Sequence, residues 1–263
     1  NKRSCRCAYR KARLFRLRQL KHLTKGLDFM FATTFKFKTE MHAHTKPVSL
    51  CSEVEPEKLI ELYKKQNADA VVITNHFSPF YFKNGTKEEK LKEYISEFEV
   101  ARKLGDKNGI NIIFGIEIRF TENANDYLIY GIGEKELPYA YEFLDKGIDA
   151  FYKAFKNDNN VILQAHPFRD GMELANPKSI DGVEVFNMHP GHNSRVSMAA
   201  KYAAQHNFLI SGGTDFHHVG HEGQCFLKTD FKPEDSFDIA KIIKDRHFVF
   251  DISKNIVVPY NFK

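Results

Sequence analysis

Short apolar runs alternate with helix-patterned stretches from Phe35 onward, and that alternation narrows the possible folds more than any other feature of the chain. "TFKFKTEM" has the look of a strand, and "PEKLIELYKKQN" that of a helix burying Leu59, Ile60, Leu62 and Tyr63. "ADAVVIT" is a continuous apolar run ending at Thr74. A long helix is expected over roughly 87–104, because Leu91, Tyr94, Ile95, Phe98, Ala101 and Leu104 recur at half-buried helical spacing. "INIIFGIEI" and "DYLIYGI" are expected strands, 138–157 a helix, and "VILQA" and "GVEVF" further strands. Residues 193–207 are expected to form an Ala-rich helix capped by Asn193, and "FLISGG" a strand. "PEDSFDIAKIIKDRH" then patterns as a helix and "FVFDI" as a last strand. Runs apolar on both faces, alternating with helices, imply a parallel sheet covered on both sides. Seven or so such units in 263 residues favour a barrel over an open sheet.

The polar residues sit where those runs stop. His42 and His44 follow the first, Asn75 and His76 the second, and Glu117 lies near the end of "IIFGIEI". His166 follows "VILQA", Asn187 and His189 follow "VEVF", and Asp215 and His217 follow "FLISGG". In parallel β/α folds the C-terminal strand ends carry the site, so all of these belong at one rim. Singly, each histidine is better explained as a hydrogen-bonded structural residue. Together, five imidazoles and two carboxylates at one rim are costly to bury unless a cation compensates. Mixed N/O ligands suit Zn, Mn or Fe, and seven ligands over-supply one ion, so two or three divalent ions are expected. Clustered ions of this kind recur in phosphate-ester hydrolysis, where a metal-activated hydroxide attacks phosphorus.

Composition narrows the partners. The formal charge is +5, but residues 1–25 carry ten Lys and Arg and no acid, leaving 29 basic against 34 acidic residues, a net −5, in the rest. An acidic body argues against a stable nucleic-acid partner, since phosphate tracking needs cations spread over a face. Residues 1–34 are read as a basic extension, helical or disordered, with Leu14, Leu17, Leu20 and Leu23 three apart and no part in the chemistry. No run approaches the length needed to cross a bilayer. Cys5, Cys7, Cys51 and Cys225 offer no disulfide framework, so a reduced cytoplasmic protein without membrane contact is expected. Cys51 and Cys225 are read as small apolar residues rather than nucleophiles.

"HAH", "ITNH", "GIE", "AHP", "VEVFN" and "GGTDFH", in that order over about residues 36–230, resemble the polymerase-and-histidinol-phosphatase (PHP) family. The resemblance implies an α/β fold, a distorted seven-stranded (β/α)7 TIM-like barrel over residues 35–263, with a two- or three-metal cleft. It implies metal ligation by His42, His44, His76, Glu117, His166, Asp215 and His217, with Asn187 and Asn75 hydrogen-bonding behind them. The substrate implied is a small phosphate ester, of the histidinol-phosphate kind, or a nucleotide or short oligonucleotide. The chain departs from the family pattern in three places. "HTKPVSLCSE" lacks the usual Asp and offers only the distant Glu53, "TDH" has become "TNH", and "ENANDYLIYG" has Asn123, Asn125 and Asp126 where the phosphatases often carry a His. Two well-held ions and a weaker third are therefore expected.

Asp215, His217 and Glu117 are the candidate catalytic groups, and the sequence does not separate ligation from proton relay. Phosphate needs cationic or N–H donors, for which Arg169, Lys46, Arg195 and His189 are candidates. His192, His218 and His221 rank below them. An amidohydrolase-like C–N hydrolase is the alternative enzyme, but "DYLIYGI" offers no bridging Lys. A non-catalytic metal-binding domain is the other alternative.

Overall fold

The computed structural model describes Met30 and residues 33–260, so nearly all of the basic extension, with its leucine spacing, lies outside the described residues. Twelve strands are described: β1 (Phe37–Ala43), β2 (Ala70–Ile73), β3 (His76–Phe77), β4 (Asn111–Phe114), β5 (Ile116–Arg119), β6 (Asp126–Tyr130), β7 (Val161–Gln164), β8 (Gly182–Asn187), β9 (Leu209–Gly213), β10 (Cys225–Thr229), β11 (Val249–Ile252) and β12 (Asn255–Val257). They form two six-stranded sheets, ordered β12-β11-β10-β1-β2-β4 and β3-β5-β6-β7-β8-β9.

The all-parallel (β/α)7 barrel is corrected to an α/β fold with mixed sheets, and no closed barrel is found among the described residues. β1–β2, β2–β4, β3–β5, β7–β8 and β8–β9 are parallel, whereas β5–β6, β6–β7, β1–β10, β10–β11 and β11–β12 are antiparallel. The reason is connection length. Only residues 120–125 separate β5 from β6, too few for the dozen or more that a parallel crossover needs.

The expected strand "INIIFGIEI" is two strands in two sheets, parted at Gly115. A Cβ there would lie 2.9 Å from Val72 Cγ1, so only glycine lets the chain pass this close to β2. β2 and β3 repeat the switch across Thr74–Asn75. At the far side Phe216, just beyond β9, bridges Ala43 at the end of β1, with His44 N donating to Phe216 O at 2.9 Å and Phe216 N to His42 O at 3.0 Å. These crossings bring the ends of β1, β3, β5, β7 and β9 together.

The helices are α1 (Pro56–Lys65), α2 (Pro79–Phe82), α3 (Lys87–Asn108), α4 (Leu137–Tyr141), α5 (Gly147–Phe155), α6 (Val196–His206) and α7 (Ser236–Asp245). α3 starts in a reciprocal cap between Thr86 and Glu89 and stops at Gly109 in the left-handed conformation. The helix expected over 138–157 is broken between α4 and α5, where Gly147 takes φ +79°. α6 starts after Arg195, itself at φ +45°, so Asn193 is not its cap. Phe77 and Tyr81 pack edge-on against Tyr94, and Phe82 packs edge-on against Phe77, while Phe80 stays exposed.

Candidate metal centre

The strand ends assemble the histidines around one carboxylate. Glu117, in the middle of β5, has Oε1 3.3 Å from His42 Nε2 and 3.2 Å from His166 Nε2. Its Oε2 lies 3.4 Å from His44 Nε2 and 2.9 Å from His76 Nδ1. Asp215 faces the same two imidazoles, with Oδ1 3.5 Å from His42 Nε2 and 3.4 Å from His44 Nε2. His217 turns Nδ1 to the Asp215 carbonyl at 2.8 Å. His42 and His44 are fully buried, and Glu117 and Asp215 nearly so. Asp215 and His166 both have positive φ, +50° and +28°, an uncommon conformation that re-aims each side chain as its strand ends.

The inner edges of these residues are unsatisfied. His42 Nε2, His44 Nε2 and both Glu117 oxygens are buried with no hydrogen-bond partner, although each lies within ion-pair distance of another. A buried polar atom left without a hydrogen bond costs about 1–3 kcal/mol. Lone pairs that converge without bonding one another are what a divalent cation requires. Three overlapping groups have ligand atoms within 4.8 Å of one another: His42, His44 and Glu117; His44, His76 and His217; His76, Glu117 and Asp126. The donor set thus fits divalent ions with mixed N/O ligands. Electrostatics agree. Burial alone would raise Asp215 and Glu117, but the facing imidazoles outweigh it and hold both well below the usual carboxylate range.

A second layer orients the first. Glu184, on β8, receives His42 Nδ1 at 2.9 Å on one oxygen, and the His166 backbone N–H at 3.0 Å and Asn187 Nδ2 at 2.9 Å on the other. Asn187 Nδ2 also lies 3.2 Å from Asp215 Oδ2. His44 Nδ1 lies 3.1 Å from Ser49 Oγ, which donates to Asn75 Oδ1 at 2.8 Å, while Asn75 Nδ2 donates to Glu97 at 2.9 Å. Asn75 therefore does not orient the neighbouring His76 side chain; it ties the loop after β1 to α3. Glu40 accepts from the backbone N–H of His42 (3.0 Å) and of Thr214 (2.9 Å) and from Tyr63 OH (2.7 Å), locking β1 to the end of β9. Glu40, Glu97 and Glu184 were not singled out from sequence, although each is an acid in an apolar strand or buried helix face, the same signal that marked Glu117.

A cavity of about 600 Å³ opens over this cluster. Arg169 and His189, two of the four expected phosphate contacts, line it, as do His192 and Arg119. Arg119, two residues beyond Glu117, is held by Asp126 through Nε–Oδ1 at 2.7 Å and Nη2–Oδ2 at 2.5 Å. His192 Nδ1 lies 3.2 Å from Asp215 Oδ2. Lys46 and Arg195 do not line it. Lys46 faces a separate groove 3.8 Å from Glu55, and Arg195 is anchored to Phe168 O at 2.6 Å and Asp170 at 2.5 Å. Glu53 pairs with His218 at 3.1 Å. Cys51 is not a packed apolar residue; it is exposed and lines the cavity beside His76 and His217. Burial would raise its thiol, but hydrogen bonds and charge from His217 and His76 bring it down to about 6.

The PHP domain model matches residues 40–255. No curated protein matches the chain. Among solved structures, it is similar to a two-domain protein from Bacteroides vulgatus containing a predicted PHP-like metal-dependent phosphoesterase, at 16% identity and TM-score 0.56. That likeness covers 81% of this chain and 64% of that one, so the chain spans less than two thirds of that protein. It is also similar to PsfC from Pseudomonas syringae, at 15% identity and TM-score 0.54, over 73% of this chain and 81% of that one. At such identity the likeness is one of fold. No helix among the described residues is long and apolar enough to cross a membrane.

Proposed function

Because the chain belongs to the PHP domain family, we propose that it is a metal-dependent hydrolase of small phosphate esters. The carrying observation is the set of buried, unpartnered His and Glu atoms beneath a cavity that two guanidinium groups line. His42, His44, His76, Glu117 and His217, which fall in the ligand groups, with His166 beside Glu117 and Asp215 beside His42 and His44, would hold two or three divalent ions, Zn, Mn or Fe, with Glu117 shared between groups. Such ions, when bound, neutralise phosphoryl oxygens and lower the pKa of water.

The remaining roles belong to the chain's own side chains. Arg169 and Arg119 orient the phosphoryl group, and the hold of Asp126 fixes the Arg119 fork before substrate arrives. His192, whose Nδ1 lies 3.2 Å from Asp215, is placed to deliver a proton to the leaving-group oxygen, whereas burial lowers His189 to about 3 and leaves it a neutral imidazole on the cavity wall. The cavity volume suits a monoester or nucleotide-sized substrate and not a duplex. The test is metal content by mass spectrometry together with turnover of an aryl phosphate, for the chain and for Asp215→Ala. The expected result is two or three ions and turnover, both lost in the variant. Bound ions without turnover of any phosphate ester would sink the proposal.

A further inference from the structure

We infer that Cys51 is a metal ligand, its thiolate joining His76, His217 and His44 in a subsite that selects thiophilic divalent ions such as Zn²⁺. The inference rests on the metal-centre reading above and goes beyond it in adding a sulfur donor and a preference among ions.

The three imidazoles form a group of their own, with ligand atoms within 4.8 Å of one another and no carboxylate among them. Their rings crowd together, His44 centred 4.3 Å from His217 and 4.5 Å from His76. His44 turns Nδ1 to Ser49 Oγ and His217 turns Nδ1 to the Asp215 carbonyl, which leaves both Nε2 lone pairs for an ion. His44 Nε2 is fully buried and has no hydrogen-bond partner. Glu117 Oε2 and Asp215 Oδ1 border the group at His44, 3.4 Å away each, and a further anionic donor on the cavity side would complete it.

Cys51 is the side chain in place to supply it. It is exposed on the wall of the same cavity that His76 and His217 line. The loop fixes that position: Ser52 Oγ donates to the carbonyls of His44 at 3.1 Å and His217 at 3.2 Å, and Glu53 N donates to His217 O at 3.0 Å. The nearest acid in the loop, Glu53, is turned to His218. Ligation releases the thiol proton to solvent as the sulfur–metal bond forms. Thiolate with imidazole favours Zn²⁺ and its Co²⁺ and Cd²⁺ surrogates over Mn²⁺ or Mg²⁺, which prefer oxygen.

The test adds Co²⁺ to the metal-stripped full chain and to Cys51→Ser, reading near-ultraviolet sulfur-to-metal charge-transfer absorption and ions bound per chain. Subtracting the variant's spectrum removes any contribution from Cys5, Cys7 and Cys225. Expected are a band in the wild type that is missing from Cys51→Ser, one ion fewer after dialysis, and affinity at that subsite weakened by more than about 100-fold, the upper end for loss of an outer partner. Cys51→Asp should regain the ion without the band, which separates loss of a ligand from loss of fold. Ions bound with no difference band overturn the Cys51 assignment and leave the metal centre standing. No ion bound by either chain overturns both.

Discussion

Replacing Glu184 by Gln tests whether the layer behind the imidazoles governs ion binding. All three groups that face this carboxylate are donors: His42 Nδ1, the His166 backbone N–H and Asn187 Nδ2. A carboxylate accepts from all of them, whereas an amide turns an NH₂ toward at least one. If the amide oxygen keeps His166 and Asn187, its NH₂ faces His42. The ring is then driven to the other tautomer, and the proton now on Nε2 occupies the lone pair aimed at Glu117 and Asp215. If the oxygen keeps His42, two buried donors lose their acceptor at about 1–3 kcal/mol each. The first orientation is the cheaper, so the loss falls on ion affinity, about 10–100-fold, or on the order of 1.4–2.8 kcal/mol. Competition with a chromophoric chelator reads that affinity on the stripped chain, and circular dichroism checks the fold. A folded Glu184→Gln that binds ions as tightly as the wild type would refute the reasoning.

Arg169→Ala should raise KM for an aryl phosphate roughly tenfold or more, as expected for one lost charge-assisted hydrogen bond, with bound metal unchanged; steady-state kinetics beside metal analysis checks this. In the metal-free chain burial alone would lower His42 and His166, but Glu184, Asp215 and Glu117 for the first and Glu117 for the second outweigh it and raise both above 6.5. A raised imidazole pKa favours the protonated ring, and ions must displace that proton. Affinity should therefore fall as pH drops through this range, by about tenfold per unit for each proton displaced, in titrations at stepped pH. Gly213→Ala should lower the melting temperature by several degrees, because the new Cβ would lie 2.6 Å from His42 Cβ and 2.8 Å from His42 N; overpacking of this kind costs about 1–3 kcal/mol, and thermal unfolding measures it.

The convergence of the seven candidate ligands was legible because it follows from one rule, that strand ends in a β/α sheet share a rim. The rule survives the loss of the closed barrel, since the end of β1, the start of β3, the middle of β5 and the residues just beyond β7 and β9 still bring their side chains to one place. Strand direction was missed at β6, although the six residues before it already ruled out a parallel crossover. The break at Gly115 was hidden because "INIIFGIEI" is apolar throughout, and nothing local marks the point where it leaves one sheet for the other. Lys46 and Arg195 were chosen by proximity in sequence, which does not fix where a long side chain on a turning loop points. Cys51 was discounted for the opposite reason: its neighbours His76 and His217 are far away in the chain and meet it only in the fold.

The bonds that hold β1 to the strands after it also set an order of events. Glu184 lies 142 positions from His42, and Thr214 lies 174 from Glu40. Contacts this distant are slow to form, since the intervening chain must be closed up first. A growing chain that has not yet reached β8 has no acceptor for His42 Nδ1. Without the segment after β9 it lacks Asp215, His217 and Phe216, the backbone partner of both His42 and His44. The complete cluster is thus a late product of folding, and an ion bound there would fasten together parts of the polypeptide made well over a hundred residues apart.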